Sequence, residues 1–143
     1  MKSTIQSLDV SYLVHETEDL EKVNSAVAKF IGSEVSPEIE VMAGHFGNSI
    51  TKGSVHLHGA EATQSFQGIV QRLPPALKTD LVAKIGIYVD EHSSLFLRFD
   101  KQRLVQGELA AGSKDAIRVK VKPRAFLMKG RANEFFANLL TGS

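Results

Sequence analysis

The sequence predicts an α+β fold: a single domain with a mixed or antiparallel sheet and helices packed mainly on one of its faces. Three observations carry this. Apolar and polar residues alternate in two widely separated stretches, 4–15 and 116–122, which is the periodicity of strands. Apolar stripes at helical spacing lie between and after them. The order of these elements lacks the regular strand–helix–strand alternation that builds a parallel sheet. A chain of 143 residues with 43% hydrophobic and 23% charged content is large enough to bury one core unaided.

In chain order, Leu8, Val10, Tyr12 and Val14 take one side of the first strand, and Asp9, Ser11 and His15 the other; Leu13 interrupts the polar side. Thr17 is placed to cap a helix, with Glu18, Asp19 and Glu21 near its positive end. Leu20, Val23, Val27, Phe30 and Ile31 form the helix's apolar stripe, and Gly32 suits its C-cap. Residues 38–45 and 52–58 read as two strands joined through Gly47-Asn48-Ser49, where Gly and Asn tolerate positive φ. From Glu61, the residues Ala62, Phe66, Ile69, Val70 and Leu73 form a helical stripe that Pro74-Pro75 ends. Pro75 opens the next helix, with Leu77, Leu81, Val82, Ile85 and Val89 on its buried side. Leu95, Leu97 and Phe99 alternate with Phe96 and Arg98 as a strand, and 100–108 reads as a short helix or a turn. Ala132, Phe135, Phe136, Leu139 and Leu140 make the apolar stripe of a C-terminal helix. The domain is expected to span 1–143, with 124–143 a basic segment followed by that helix.

The segment 116–122 carries the strongest chemical signal. Ile117, Val119 and Val121 face one way; Arg118, Lys120 and Lys122 face the other. At a rise of ~3.3 Å per residue, those cations stand ~6.6 Å apart and repel one another. A phosphate backbone would relieve the repulsion, although cations also occur on exposed strands simply to discourage edge pairing.

The net charge of +1 conceals an asymmetry. Residues 1–71 sum to −5 and residues 72–143 to +6, with seven basic residues and one acid between Lys114 and Arg131. At the end of the strand near 98, Arg98, Lys101 and Arg103 surround Asp100, and Gln102 adds an amide able to read a base edge or a ribose hydroxyl. The same segment is open to local pairing of Asp100 with Lys101 or Arg103. Packing beneath a helix is the expectation for Phe96, with base stacking the alternative. Arg124, Lys129 and Arg131 extend the basic character beyond the strand.

Cysteine is absent, which excludes disulfides, thiolate metal sites and cysteine nucleophiles. No apolar run is long enough for a membrane span, and the N-terminus lacks a signal-peptide pattern, so a cytoplasmic location is expected. No phosphate loop, dinucleotide fingerprint or nucleophile elbow occurs. His56 and His58 share a strand face and His45 lies on the preceding strand, a spacing that matches no established zinc pattern. The expectation is a protein without catalytic residues, cofactor or metal.

Four segments occur together in order: His15-Glu16-Thr17-Glu18-Asp19-Leu20-Glu21-Lys22-Val23, Gly44-His45-Phe46-Gly47-Asn48, Leu95-Phe96-Leu97-Arg98-Phe99-Asp100-Lys101-Gln102 and Ile117-Arg118-Val119-Lys120-Val121-Lys122. Over residues 4–123 the chain resembles the archaeal RNA-binding family described as a predicted exosome subunit, with a ribosomal-protein-L5-like fold. Family members more often carry Ala where Glu16 stands and Pro where Ser49 stands. The resemblance implies RNA as partner, a link to RNA processing, and functional weight on His45, Asn48, Arg98, Lys101 and Gln102. With the basic strand and its flanks, the expected RNA-binding residues are His45, Asn48, Arg98, Lys101, Gln102, Arg103, Arg118, Lys120, Lys122 and Arg124. The alternative is a protein–protein adaptor of an RNA-processing complex such as the exosome, docking through the acidic N-terminal half or the C-terminal apolar helix. A third reading is metal-assisted phosphoester hydrolysis at His45, His56 and His58.

Overall fold

The structure, a computed structural model, describes residues 4–32, 36–43 and 48–142. The elements run β1 (Ile5–His15), α1 (Leu20–Ile31), β2 (Glu38–Ala43), β3 (Ser49–His58), α2 (Gly59–Arg72), α3 (Pro75–Ala83), α4 (Ile85–Tyr88), β4 (Leu95–Asp100), α5 (Lys101–Val105), β5 (Ala116–Pro123) and α6 (Lys129–Thr141). The five strands form one sheet in the order β2-β3-β1-β5-β4, every neighbouring pair antiparallel. The sheet is therefore antiparallel throughout rather than mixed, and the α+β class stands.

One sheet face holds the core. Leu8, Val10, Tyr12 and Val14 of β1, Val55 and Leu57 of β3, Ile117, Val119 and Val121 of β5, and Leu95, Leu97 and Phe99 of β4 are all buried. They pack in one cluster with Val27 and Phe30 of α1, Phe66 and Ile69 of α2, and Phe136 and Leu140 of α6. Phe30 meets Phe99 edge to face at 5.1 Å, the arrangement that aromatic quadrupoles favour. Ala132, Phe136 and Leu140 of the C-terminal helix are buried in this core, and Phe135 and Leu139 pack against it partly buried. The helix's apolar stripe was a core stripe, which its sequence alone does not distinguish from an interaction face.

Three local details differ from expectation, and a fourth decides between two alternatives. The N-cap of α1 is Asp19, accepting from the Lys22 N–H, rather than Thr17. Glu18 and His15 instead lock the preceding turn: the Glu18 N–H donates to the His15 carbonyl, and the His15 N–H donates to Glu18 Oε1, each at 2.9 Å. The stripe beginning at Leu77 is broken at Lys84 into α3 and α4. The ambiguous stretch after Asp100 is the short helix α5, capped by Asp100 accepting from the Arg103 N–H.

Gly53 is required by the sheet. The Tyr12 ring lies directly across it, so a Cβ there would overlap the ring carbons and hydroxyl. The Tyr12 hydroxyl reaches past it to donate to Asn24 Oδ1 at 2.7 Å. Burial pushes the Tyr12 phenol up to about 12, because the charged phenolate is poorly solvated there.

Candidate nucleic-acid interface

Strand alternation sends the polar half of each strand to the opposite face of the sheet. Register then aligns these residues in rows across the strands. Lys122, Ser7 and His58 form one row; Phe96, Lys120, Asp9 and His56 the next; Arg98, Arg118, Ser11, Ser54 and Glu38 the third; and Leu13, Lys52 and Glu40 the fourth. Arg98, Arg118, Lys120, Lys122 and Lys52, far apart in sequence, thus share one face. No ion pair engages any of these five among the described residues.

Arg98 and Arg118 are direct cross-strand partners. Like charges directly opposed destabilise a sheet by roughly 0.2–1 kcal/mol, and a phosphate between them converts repulsion into two attractions. A depression of about 270 Å³ beside Arg118 is lined by Ser11, Leu13, Lys52, Lys114, Arg118 and the acidic Asp115 among others. A second, of about 450 Å³ at the far end of β5, is lined by Lys120, Lys122, His92, Ser94 and Phe126 among others. Cations therefore gather around two concavities.

Phe96 does not pack beneath a helix. Its side chain shares the open face with Lys120, is 42% exposed, and lies 5.7 Å from the Lys120 Nζ, ring centroid to ammonium. Parity explains the placement: Leu95, Leu97 and Phe99 fill the core, so Phe96 must point away from it.

The cluster following Arg98 behaves differently. Lys101 is 1% exposed. Its ammonium donates to Glu18 Oε1 at 2.7 Å, Asp115 Oδ1 at 2.9 Å and the Leu13 carbonyl at 2.9 Å, occupying its three protons. The expectation that Lys101 grips phosphate is corrected: it is a buried structural cation holding β1, the start of α1 and the β5 approach together. Gln102 Nε2 donates to Glu18 Oε2 at 2.8 Å, and Arg103 pairs with Glu108 at 2.8 Å. Both have an internal partner in place of an approaching ligand. Arg103 pairs with Glu108 rather than with Asp100, whose carboxylate caps α5.

Glu18 shows how tightly this junction is balanced. Burial pushes its carboxyl up, but the Lys101 hydrogen bond, the His15 N–H and the charges of Lys101 and His15 together outweigh burial and hold it below the ordinary carboxylate value.

Arg124 is exposed just beyond β5, its backbone N–H donating to the Thr4 carbonyl. Asn48 is exposed at the start of β3. His45 lies outside the described residues. Lys52, absent from the sequence-based set, belongs with the open-face cations; its signal was the polar alternation Lys52, Ser54, His56, His58. Arg72 of α2 takes no part in the open face. It donates to the Lys29 and Phe30 carbonyls at the end of α1, where a cation complements the helix dipole.

Of the three histidines in the metal reading, His56 Nδ1 lies 2.6 Å from Asp9 Oδ1, and His58 follows on the same strand face. A different group, His15, Glu18 and Asp115, brings three potential ligand atoms within 4.8 Å of one another. The Lys101 ammonium already sits against both carboxylates at 2.7 and 2.8 Å, supplying the cation that such a cluster attracts.

Residues 7–123 match the family model described as RNA binding. The chain belongs to this RNA-binding family. It is 30% identical over 138 residues to RNA-binding protein PAB1135 of Pyrococcus abyssi, covering 92% of this chain and 90% of that one. It is 31% identical over 151 residues to the uncharacterized protein MJ0213 of Methanocaldococcus jannaschii, covering 95% and 98%. Among solved structures, Mth689, a DUF54 protein from Methanothermobacter thermautotrophicus, superposes with a TM-score of 0.76 at 27% identity, over 96% of this chain and 98% of that one. The matched span of the family model runs from within β1 to the end of β5 and so includes residues of all five strands. No helix among the described residues is long and apolar enough to cross a membrane.

Proposed function

We propose that this protein binds RNA across the uncovered face of its sheet, without catalysing a reaction on it. Arg118, Lys120 and Lys122 track the phosphates along β5, Arg98 clamps beside Arg118, and Lys52 and Lys114 extend the footprint across the face. Arg124 and Asn48 stand as peripheral contacts, and His45 joins them on the sequence resemblance alone. The observation that carries this reading is the convergence on one face of cations that no carboxylate pairs with among the described residues, including two arginines in direct register, of which Arg98 also donates to the Ser113 carbonyl at 3.3 Å. Glu38 and Glu40 lie on β2 at the other edge, Glu40 opposite Lys52, and Asp9 on β1 lies opposite Lys120 with its carboxylate against His56. Cations outnumber acids on the β5–β4 side, to which a polyanion is drawn.

The test is the salt dependence of binding to a fluorescein-labelled RNA 20-mer, read by anisotropy. Affinity should fall steeply with salt. Lys120→Ala with Lys122→Ala should weaken binding and flatten the slope of log K against log salt by about 0.7 per lost contact. Unchanged affinity and slope would remove β5 from the contact surface.

A second reading, an adaptor docking on an exosome or other RNA-processing assembly, draws on one observation. The edge strand β2 exposes Ile39 and Val41 beside Glu38 and Glu40, with Val41 70% exposed. A pull-down that survives nuclease treatment, together with no binding to naked RNA, would favour it.

A further inference from the structure

Two exposed aromatic rings lie beside the lysines of β5. Phe96 stands on the open face with Lys120 above its ring. Phe126, in the segment between β5 and α6, is 69% exposed and lines the 450 Å³ depression together with Lys120 and Lys122. Lys120 therefore borders both rings. Ser94 and His92 form another part of the depression's wall. That wall is held in place by Asp90 Oδ1, which accepts from the His92 and Ser94 N–H groups, each at 2.9 Å.

Resting on the RNA-binding reading, we infer that the ligand is single-stranded RNA, gripped by two base-stacking platforms, Phe96 and Phe126, beside the phosphate-binding lysines Lys120 and Lys122. An exposed phenyl ring offers a flat apolar face on which any unpaired base can stack. In a duplex the bases already stack on one another inside the helix, and recognition falls to phosphates, ribose hydroxyls and shape. A surface built for duplex alone would have no use for two exposed rings beside its cations. The depression at Phe126 is also of the size that encloses a small ligand, within the range of about 300–1,000 Å³, which suits one splayed-out nucleoside.

The experiment compares a 12-nucleotide oligouridine with a 16-base-pair RNA duplex, both fluorescein-labelled, at one salt concentration and then along a salt series. The proteins are the wild type, Phe96→Leu, Phe126→Leu, and the double variant Lys120→Ala with Lys122→Ala. The wild type should prefer the single strand by at least about tenfold. Each phenylalanine variant should lose about 5- to 100-fold in affinity for the single strand. Both should keep the wild-type salt slope and duplex affinity, whereas the lysine variant loses slope. Phe126 lies outside the sheet, so its variant tests stacking even if Phe96→Leu perturbs the fold. A duplex bound as tightly as the single strand would overturn the inference while leaving RNA binding intact. Retention of full single-strand affinity by either phenylalanine variant, shown folded by circular dichroism, would also overturn it. Failure to bind either RNA would overturn the RNA-binding reading itself.

Discussion

Replacing Lys101 with Met removes a cation that makes three hydrogen bonds at a buried polar junction, while roughly preserving side-chain length. The Glu18 side chain, 16% exposed, then loses its nearest positive charge, and the Leu13 carbonyl loses its donor. Breaking a buried pair by deleting one partner costs about 3–5 kcal/mol. Asp115 is half exposed and regains water, so we expect about 2–4 kcal/mol for this site. For a chain of this size that corresponds to a drop of about 6–12 °C in melting temperature. The protein has no tryptophan, so urea and thermal unfolding followed by far-ultraviolet circular dichroism is the assay. The cost should depend on pH with a definite sign. In the wild type the folded-state value of Glu18 is depressed. Its contribution is therefore present above the unfolded-state value and is lost as pH falls through the folded one. In the variant, burial acts on Glu18 without the Lys101 hydrogen bond and charge that opposed it. The penalty should accordingly be largest near neutral pH and shrink on acidification through the carboxylate range, as protonation removes the stranded charge. Adding Glu18→Gln to Lys101→Met should recover part of the loss. A cost below about 1 kcal/mol, or one equal at pH 7 and pH 4, would refute a charge-pinned junction. The folded variant should also keep the wild-type salt slope for RNA, because Lys101 does not reach the ligand.

Gly53→Ala should destabilise the fold by about 1–3 kcal/mol through overpacking against the Tyr12 ring, measured by urea midpoint, whereas Ser54→Ala on the open face should stay within about 0.5 kcal/mol. Tyr12 should resist ionisation in a spectrophotometric titration until close to pH 12. Because its folded-state value is raised, the stability it contributes is present below its ordinary 10.0 and is lost as pH rises from there through the folded value; a phenol that ionises at its ordinary value in the native state would contradict its burial.

Most of the architecture was legible because strand and helix periodicities are local. The spacing of Leu8, Val10, Tyr12 and Val14 identified the buried side of β1 without reference to any other strand, and the same parity placed Arg118, Lys120 and Lys122 together on the outward side of β5. Phe96 was misplaced by a general expectation about aromatic burial, although the alternation with Leu95 and Leu97 already pointed it outward. The division of the stripe after Pro75 into α3 and α4 was less visible, since an apolar stripe carries no mark where the backbone turns at Lys84.

The sequence by itself determined which side chains share a strand face, because a spacing of two residues is enough to fix that relation. Only the tertiary structure decided which cations remain available. Arg98 and Arg118 stand opposed because β4 pairs with β5 in one register, and Lys101 is neutralised by Glu18, 83 positions away, and anchored to Leu13, 88 positions away. The physical reason is that a charge is neutralised by its neighbours in space. Those neighbours are chosen by how the strands pair and the helices pack, which adjacent residues in the chain do not encode.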